Sequence, residues 1–179
     1  MSSYVSGLFQ NDDISNQLFQ LVNIIEYANK KNLKIGFKKN SNLIFKNYFD
    51  IIDDNDKAYI IYDFNMKNLH FSDKTKKKLI DIIFSDENKM EYVYNLFNKI
   101  KKEYFLEEDS AKFYFECDMN NNIIIKFNNN SYTINNQEDD YTKLLLMASF
   151  MENGKINSYL SLWANILGVN KNNINNEMI

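Results

Sequence analysis

Ser15-Asn16-Gln17-Leu18-Phe19-Gln20 opens the most regular amphipathic stretch of the chain, and how it is read decides the fold. Leu18, Leu21, Val22, Ile25 and Ala28 recur at i, i+3, i+4 and i+7, while Gln20, Asn23, Glu26 and Lys30 fall elsewhere, so the spacing predicts a helix with one apolar stripe. Ser15 or Asn16 can cap its start with a side-chain oxygen. Lys30 and Lys31 suit the negative end of the helix, and Asn32 is a natural stop. Leu33-Lys34-Ile35-Gly36-Phe37 then alternates as a strand does. Loop, helix and strand in succession make the second half of an α/β unit. On spacing alone, Asn16 and Gln17 are a cap followed by a solvated side chain.

Outward from this unit, 179 residues suit one domain or two small lobes, and a hydrophobic fraction of 45% is enough to build a core. Aromatics at 15% argue against wholesale disorder despite the many asparagines. A net charge of -3 provides no basic footprint for nucleic acid. Cys117 is the single cysteine, which excludes an internal disulfide and fits a reducing compartment. No apolar run is long enough for a membrane span, and the polar N-terminus lacks the apolar core of a signal peptide, so the expected location is cytoplasmic.

Past the first unit, Asp53-Asp54-Asn55-Asp56 reads as a solvated acidic loop. It lacks the spaced carboxylates and glycine of a calcium site, and no metal is expected there. Lys57–Phe64 is β-branched and aromatic on both faces, which predicts an interior strand. His70, the one histidine, has no nucleophile motif beside it and is read as structural or surface. Ser72-Asp73 can cap a helix over 74–84 whose lysine cluster, Lys74, Lys76, Lys77 and Lys78, is read as a solvated face. A further helix over 89–105 carries Tyr92, Val93, Leu96, Phe97 and Ile100 on one stripe. From Ala111 the period changes to two across Phe113–Asp118, Ile123–Phe127 and Tyr132–Ile134, separated by asparagine clusters that suit the turns of a hairpin or meander.

In the last third, Asp139-Asp140 caps a helix over 141–151 with Leu144, Leu145, Ala148 and Met151 inward. After Asn153-Gly154 comes Asn157-Ser158-Tyr159-Leu160-Ser161-Leu162-Trp163-Ala164-Asn165-Ile166-Leu167. Asn-Ser before a helix places hydroxyls and free N–H groups at its positive end, which suits a diphosphate. The same residues also make an ordinary cap above a core face of Leu160, Trp163, Ala164 and Leu167.

Two of these segments resemble one family. Asn16-Gln17-Leu18-Phe19-Gln20 resembles the Asn-Gln-Leu-Phe-Gln that opens α-1,2-fucosyltransferases after a Gly-Gly-Leu-Gly loop near the sugar-nucleotide donor. Leu145, Leu146, Met147 and Ser149, then Asn157, Ser158, Ser161, Trp163, Ala164 and Leu167, match its Leu-Leu-Met-x-Ser and Asn-Ser-Thr-Tyr-Ser-Trp-Trp-Ala pieces in order. The resemblance implies a reduced two-lobed, GT-B or Rossmann-like glycosyltransferase fold of class α/β, with a mostly parallel sheet flanked by helices. Parallel strands are expected near Leu33–Phe37, Tyr59–Phe64 and Phe113–Cys117. The lobes would be 1–70 and 71–179, or one compact domain. It also implies donor-binding candidates Asn16, Gln17, Asn157, Ser158 and Ser161, no cofactor beyond a nucleotide sugar such as GDP-fucose, and a glycan acceptor.

The chain departs from the family in two places. Asp12, Asp13, Ile14 and Ser15 stand where the glycine loop would be, and two carboxylates repel a phosphate that glycine backbone would approach. The family's His-x-Arg-Arg-Gly-Asp-Tyr segment, whose arginine stabilises the leaving diphosphate, has no counterpart between Phe64 and Glu103. Sequence reading therefore leaves three readings: a reduced glycosyltransferase with weak or lost transfer, a non-catalytic binding or assembly module that keeps the fold and takes a protein partner, and an unrelated interaction protein whose two matches are coincidental. In that middle region the family has a strand ending in an acidic pair, a short helix and a short strand, which Phe113–Asp118 and Tyr132–Ile134 also fit.

Overall fold

The computed structural model describes residues 3–9, 13–61, 70–105, 114–118, 120–127, 130–134, 137–150, 152–153 and 158–168. The chain divides into two compact units, Met1–Ile83 and Phe84–Ile179. Sequence reading put the division at residue 70. It falls later because the helix α2 (Asp73–Ile83) is tied to the first unit: the Asn29 amide donates to Thr75 Oγ1 at 3.1 Å, and Ser72 donates through both N and Oγ to Glu26 at 2.6 Å.

The first unit is a parallel sheet of four strands, β1 (Tyr4–Gly7), β2 (Lys34–Phe37), β3 (Asp50–Ile51) and β4 (Ala58–Ile61), in the order β3-β2-β1-β4. Tyr4 pairs with Lys34 on one side and Ala58 on the other, and Gly36 pairs with Asp50. Helix α1 (Ile14–Lys31) packs on β1 and β2 and against α2. Its predicted stripe is the buried one: Leu18, Leu21, Val22, Ile25 and Ala28 are all core. It ends at Asn32, whose φ of 52° is the left-handed conformation asparagine tolerates. Its cap is Asp13 rather than Ser15 or Asn16, with Asp13 Oδ1 accepting from Ser15 N at 2.8 Å. Gly36 is required by the close approach of the segment after β3, since a Cβ there would stand 2.5 Å from Ile52 Cγ2.

Two expectations change here. β1 was not legible as a strand, yet it lies inside the sheet between β2 and β4, with Val5 fully buried. The Tyr59–Phe64 run was expected inside the sheet. Among the described residues its strand β4 is an edge, and Tyr59 and Ile60 are 57% and 37% exposed. Apolar residues on both faces of a run do not by themselves specify an interior position, because β1 and β2 fill the two inner places of this sheet.

The second unit begins with α3 (Glu87–Ile100), capped by Asp86, whose Oδ1 accepts from Lys89 N at 3.0 Å. Met90, Val93, Phe97 and Ile100 form its inner stripe, while Tyr92 faces out and donates to Glu138 at 2.8 Å. A π-helical turn, Lys101–Phe105, follows. The strands β5 (Tyr114–Cys117), β6 (Ile123–Phe127) and β7 (Asn130–Ile134) then form an antiparallel meander, one of the two arrangements open from sequence. The β5–β6 turn is built by Asp118, whose carboxylate accepts from Asn120 N at 2.8 Å and Asn122 N at 2.9 Å, with Asn121 left-handed at φ 58°. Helix α4 (Asp140–Phe150) leads to β8 (Glu152–Asn153), which lies parallel to β5, and helix α5 (Tyr159–Leu167) follows. The second sheet is thus mostly antiparallel, in the order β7-β6-β5-β8, and β5 has a parallel neighbour only in the two-residue β8. The sequence expected its strand to belong to a parallel sheet. The asparagine turns pull β6 back beside β5 instead.

Candidate functional site

Gln17 is 1% exposed, so it is not a solvated side chain. Its Nε2 donates to the Asn42 carbonyl at 3.0 Å, and its Oε1 accepts from Ile44 N at 2.9 Å. One side-chain amide thereby replaces a stretch of backbone pairing and fixes loop 42–44 against α1. Asn16 donates its Nδ2 to Asp13 Oδ2 at 3.1 Å and so completes the cap.

Ser158 and Ser161 form a reciprocal capping box at the start of α5. Ser161 N donates to Ser158 Oγ at 3.2 Å, Ser158 N donates to Ser161 Oγ at 3.1 Å, and Ser161 Oγ donates to the Ser158 carbonyl at 2.8 Å. The N–H groups a diphosphate would need at this helix start are partly taken by these hydroxyls. Trp163, Leu160, Ala164 and Leu167 fill the core below. Asn157 lies outside the described residues, as does Asp12. Asn16 and Gln17 belong to the first unit, Ser158 and Ser161 to the second.

The first unit carries a cleft of about 430 Å³ that residue patterns did not reveal. It opens at the carboxyl ends of the parallel strands: Ser6 and Gly7 end β1, Lys38 follows β2, Ile52 follows β3, and Ile60 lies on β4. Open α/β sheets bind ligands at this edge, and an order of 3-2-1-4 puts the reversal of strand sequence between β1 and β4. Asn40, Ser41 and Asn42 form one wall. Lys46 Nζ steadies that wall by donating to the Lys39 and Ser41 carbonyls at 3.1 and 3.0 Å, and Gln17 holds its far end. Gln17 therefore acts on the cleft as a positioning residue, through Asn42.

The acidic loop also lines the cleft, through Asp53, Asp54 and Asp56. Asp53 N donates to Asp56 Oδ2 at 2.8 Å, which closes the turn. Lys38 hydrogen-bonds and pairs with Asp54 and holds that carboxyl below its ordinary range. Lys38 is the one cation among the cleft-lining residues, against three carboxylates. Among the described residues no group of three His, Cys, Asp or Glu side chains converges to hold a metal.

The second unit holds a buried charge that sequence reading missed. Lys143, 2% exposed, pairs with Asp140 at 3.2 Å, and Asp140 also accepts from Asn121 Nδ2 at 3.1 Å. No helix among the described residues is long and apolar enough to cross a membrane. No family model, curated protein or solved structure matches the chain.

Proposed function

We propose that this chain is a reduced glycosyltransferase-type protein, related to α-1,2-fucosyltransferases, in which sugar transfer is weak or lost. The observation that carries the reading is the cleft at the carboxyl edge of a parallel sheet of order β3-β2-β1-β4, reached directly from the strand that precedes the Asn-Gln-Leu-Phe-Gln helix. Gln17 supports it by shaping one wall of that cleft.

The loss of transfer is argued from charge. A departing nucleoside diphosphate needs a fixed cation, and the sequence contains no arginine: apart from His70 its basic residues are all lysines. The cleft is net acidic, and the start of α1 is already capped by the Asp13 carboxylate. These features favour the second reading, a non-catalytic binding module that keeps the fold, over an efficient enzyme. Calorimetric titration with GDP and GDP-fucose, alongside fucosyl transfer to a galactoside, tests both. Weak donor binding is expected, with transfer at least about 10²–10³ slower than in an enzyme that has its charge-stabilising donor. Tight binding with rapid turnover would overturn the reduced-activity reading.

A further inference from the structure

We propose that the outer edge of β4 receives an extended basic peptide as an added strand, with lysine or arginine at every second position entering the cleft beside it. Nothing in this depends on the glycosyltransferase-type reading.

β4 ends the order β3-β2-β1-β4, and among the described residues no strand pairs with its outer side. Tyr4 N donates to the Lys57 carbonyl at 3.0 Å, so Lys57, Tyr59 and Ile61 bond toward β1, while the N–H and C=O groups of Ala58 and Ile60 point away from it. These are the groups to which a further strand would pair. The devices that protect a sheet edge are missing here: Ala58-Tyr59-Ile60-Ile61 holds no charge and no proline, and its register against β1 runs without a bulge. Register also sorts the two faces of the strand. Tyr4 pairs with Ala58 and Ser6 with Ile60, so Ala58 and Ile60 share the face of Ser6, and these three residues line the cleft. The loop between β3 and β4 brings Asp53, Asp54 and Asp56 to the same cleft, where the single lining cation, Lys38, is already paired with Asp54. Tyr59 stands on the opposite face and is exposed. The edge therefore suits a strand that alternates, with cations on the cleft face and apolar side chains beside Tyr59. A second copy of β4 carries no cation within the strand, so charge favours a basic peptide over self-pairing.

The test uses the full-length chain with the capped peptide Lys-Val-Lys-Val-Lys-Val-Lys, and with its glutamate counterpart Glu-Val-Glu-Val-Glu-Val-Glu as the control. Fluorescence anisotropy is expected to show saturable binding of the lysine peptide that weakens as salt rises, and no binding of the glutamate peptide. In NMR the Ala58 and Ile60 amides should shift along the same isotherm. Two further lysine peptides carry backbone N-methyl groups, one on the lysines and one on the valines. One of them should lose binding and the other keep it, because only alternate N–H groups of an added strand face β4. Asp53→Asn, at an exposed position, should weaken binding about two- to fivefold and leave the urea midpoint in place. Absence of saturable binding, equal behaviour of the two methylated peptides, equal binding of the glutamate peptide, or self-association that occupies the Ala58 and Ile60 amides would each overturn the proposal. GDP binding and fucosyl transfer are read separately, so a failed peptide titration leaves the glycosyltransferase-type reading standing, and failed transfer leaves the peptide site standing.

Discussion

Gln17 and Ser158 carried the same weight in the family resemblance, and their surroundings separate them. Gln17 uses both ends of its amide on loop 42–44, so Gln17→Ala removes a partner of the Ile44 N–H and of the Asn42 carbonyl and empties a buried position, although Asn42 and Ile44 are themselves exposed. The expected cost is about 1–2 kcal/mol, read as a lower urea midpoint at unchanged slope. An unchanged midpoint would show that the loop is held otherwise. Ser158 is one member of a capping box at a partly open helix start, and Ser158→Ala should cost only about 1 kcal/mol in the same assay. A polar residue's type and spacing give no information on whether its partner is solvent, its own helix or a loop 25 residues away.

At the scale of elements, α1 and α2 are joined through Glu26, whose carboxylate receives both the N–H and the hydroxyl of Ser72 at the start of α2. Burial pushes this carboxyl up, but the hydrogen bonds from Ser72 and Thr75 outweigh it, and the net shift is downward. A carboxyl depressed in the folded state contributes stability that is present above its unfolded pKa, about 4.3, and is lost as pH falls through the lower folded value. Wild type minus Glu26→Gln stability, from urea melts between pH 7 and pH 3, should therefore shrink as the solution is acidified. A difference that stays constant would mean that the ionised form does not make the link. The helix itself was readable because a 3.6-residue apolar period, lysines at its end and an asparagine stop all agree. Its cap shifted to Asp13 because the chain enters α1 extended at that residue, which puts a carboxylate over the first free N–H groups.

For the whole molecule, two reporters with separate readouts lie in one unit. Trp163 is the only tryptophan and Cys117 the only cysteine, and both are buried in the second unit. Burial pushes the Cys117 thiol up, against an opposing hydrogen bond with Ser158, so it is a poor nucleophile in the folded state. Its reaction with a disulfide reagent should follow the same urea transition as Trp163 fluorescence. Rapid stoichiometric labelling in native buffer would show that β5 is open to solvent. The α/β class, helix α1 with its inner face, its Asn32 stop and the core stripe of α5 were determined by the sequence alone, because periodicity and capping are local and each reinforces the next. The interior place of β1, the edge place of β4, the meander of β5–β7 and the cleft were decided only by tertiary structure. Four-residue strands carry too little pattern to rank themselves within a sheet, and a cleft is made by residues from four strand ends that nothing in the linear order brings together.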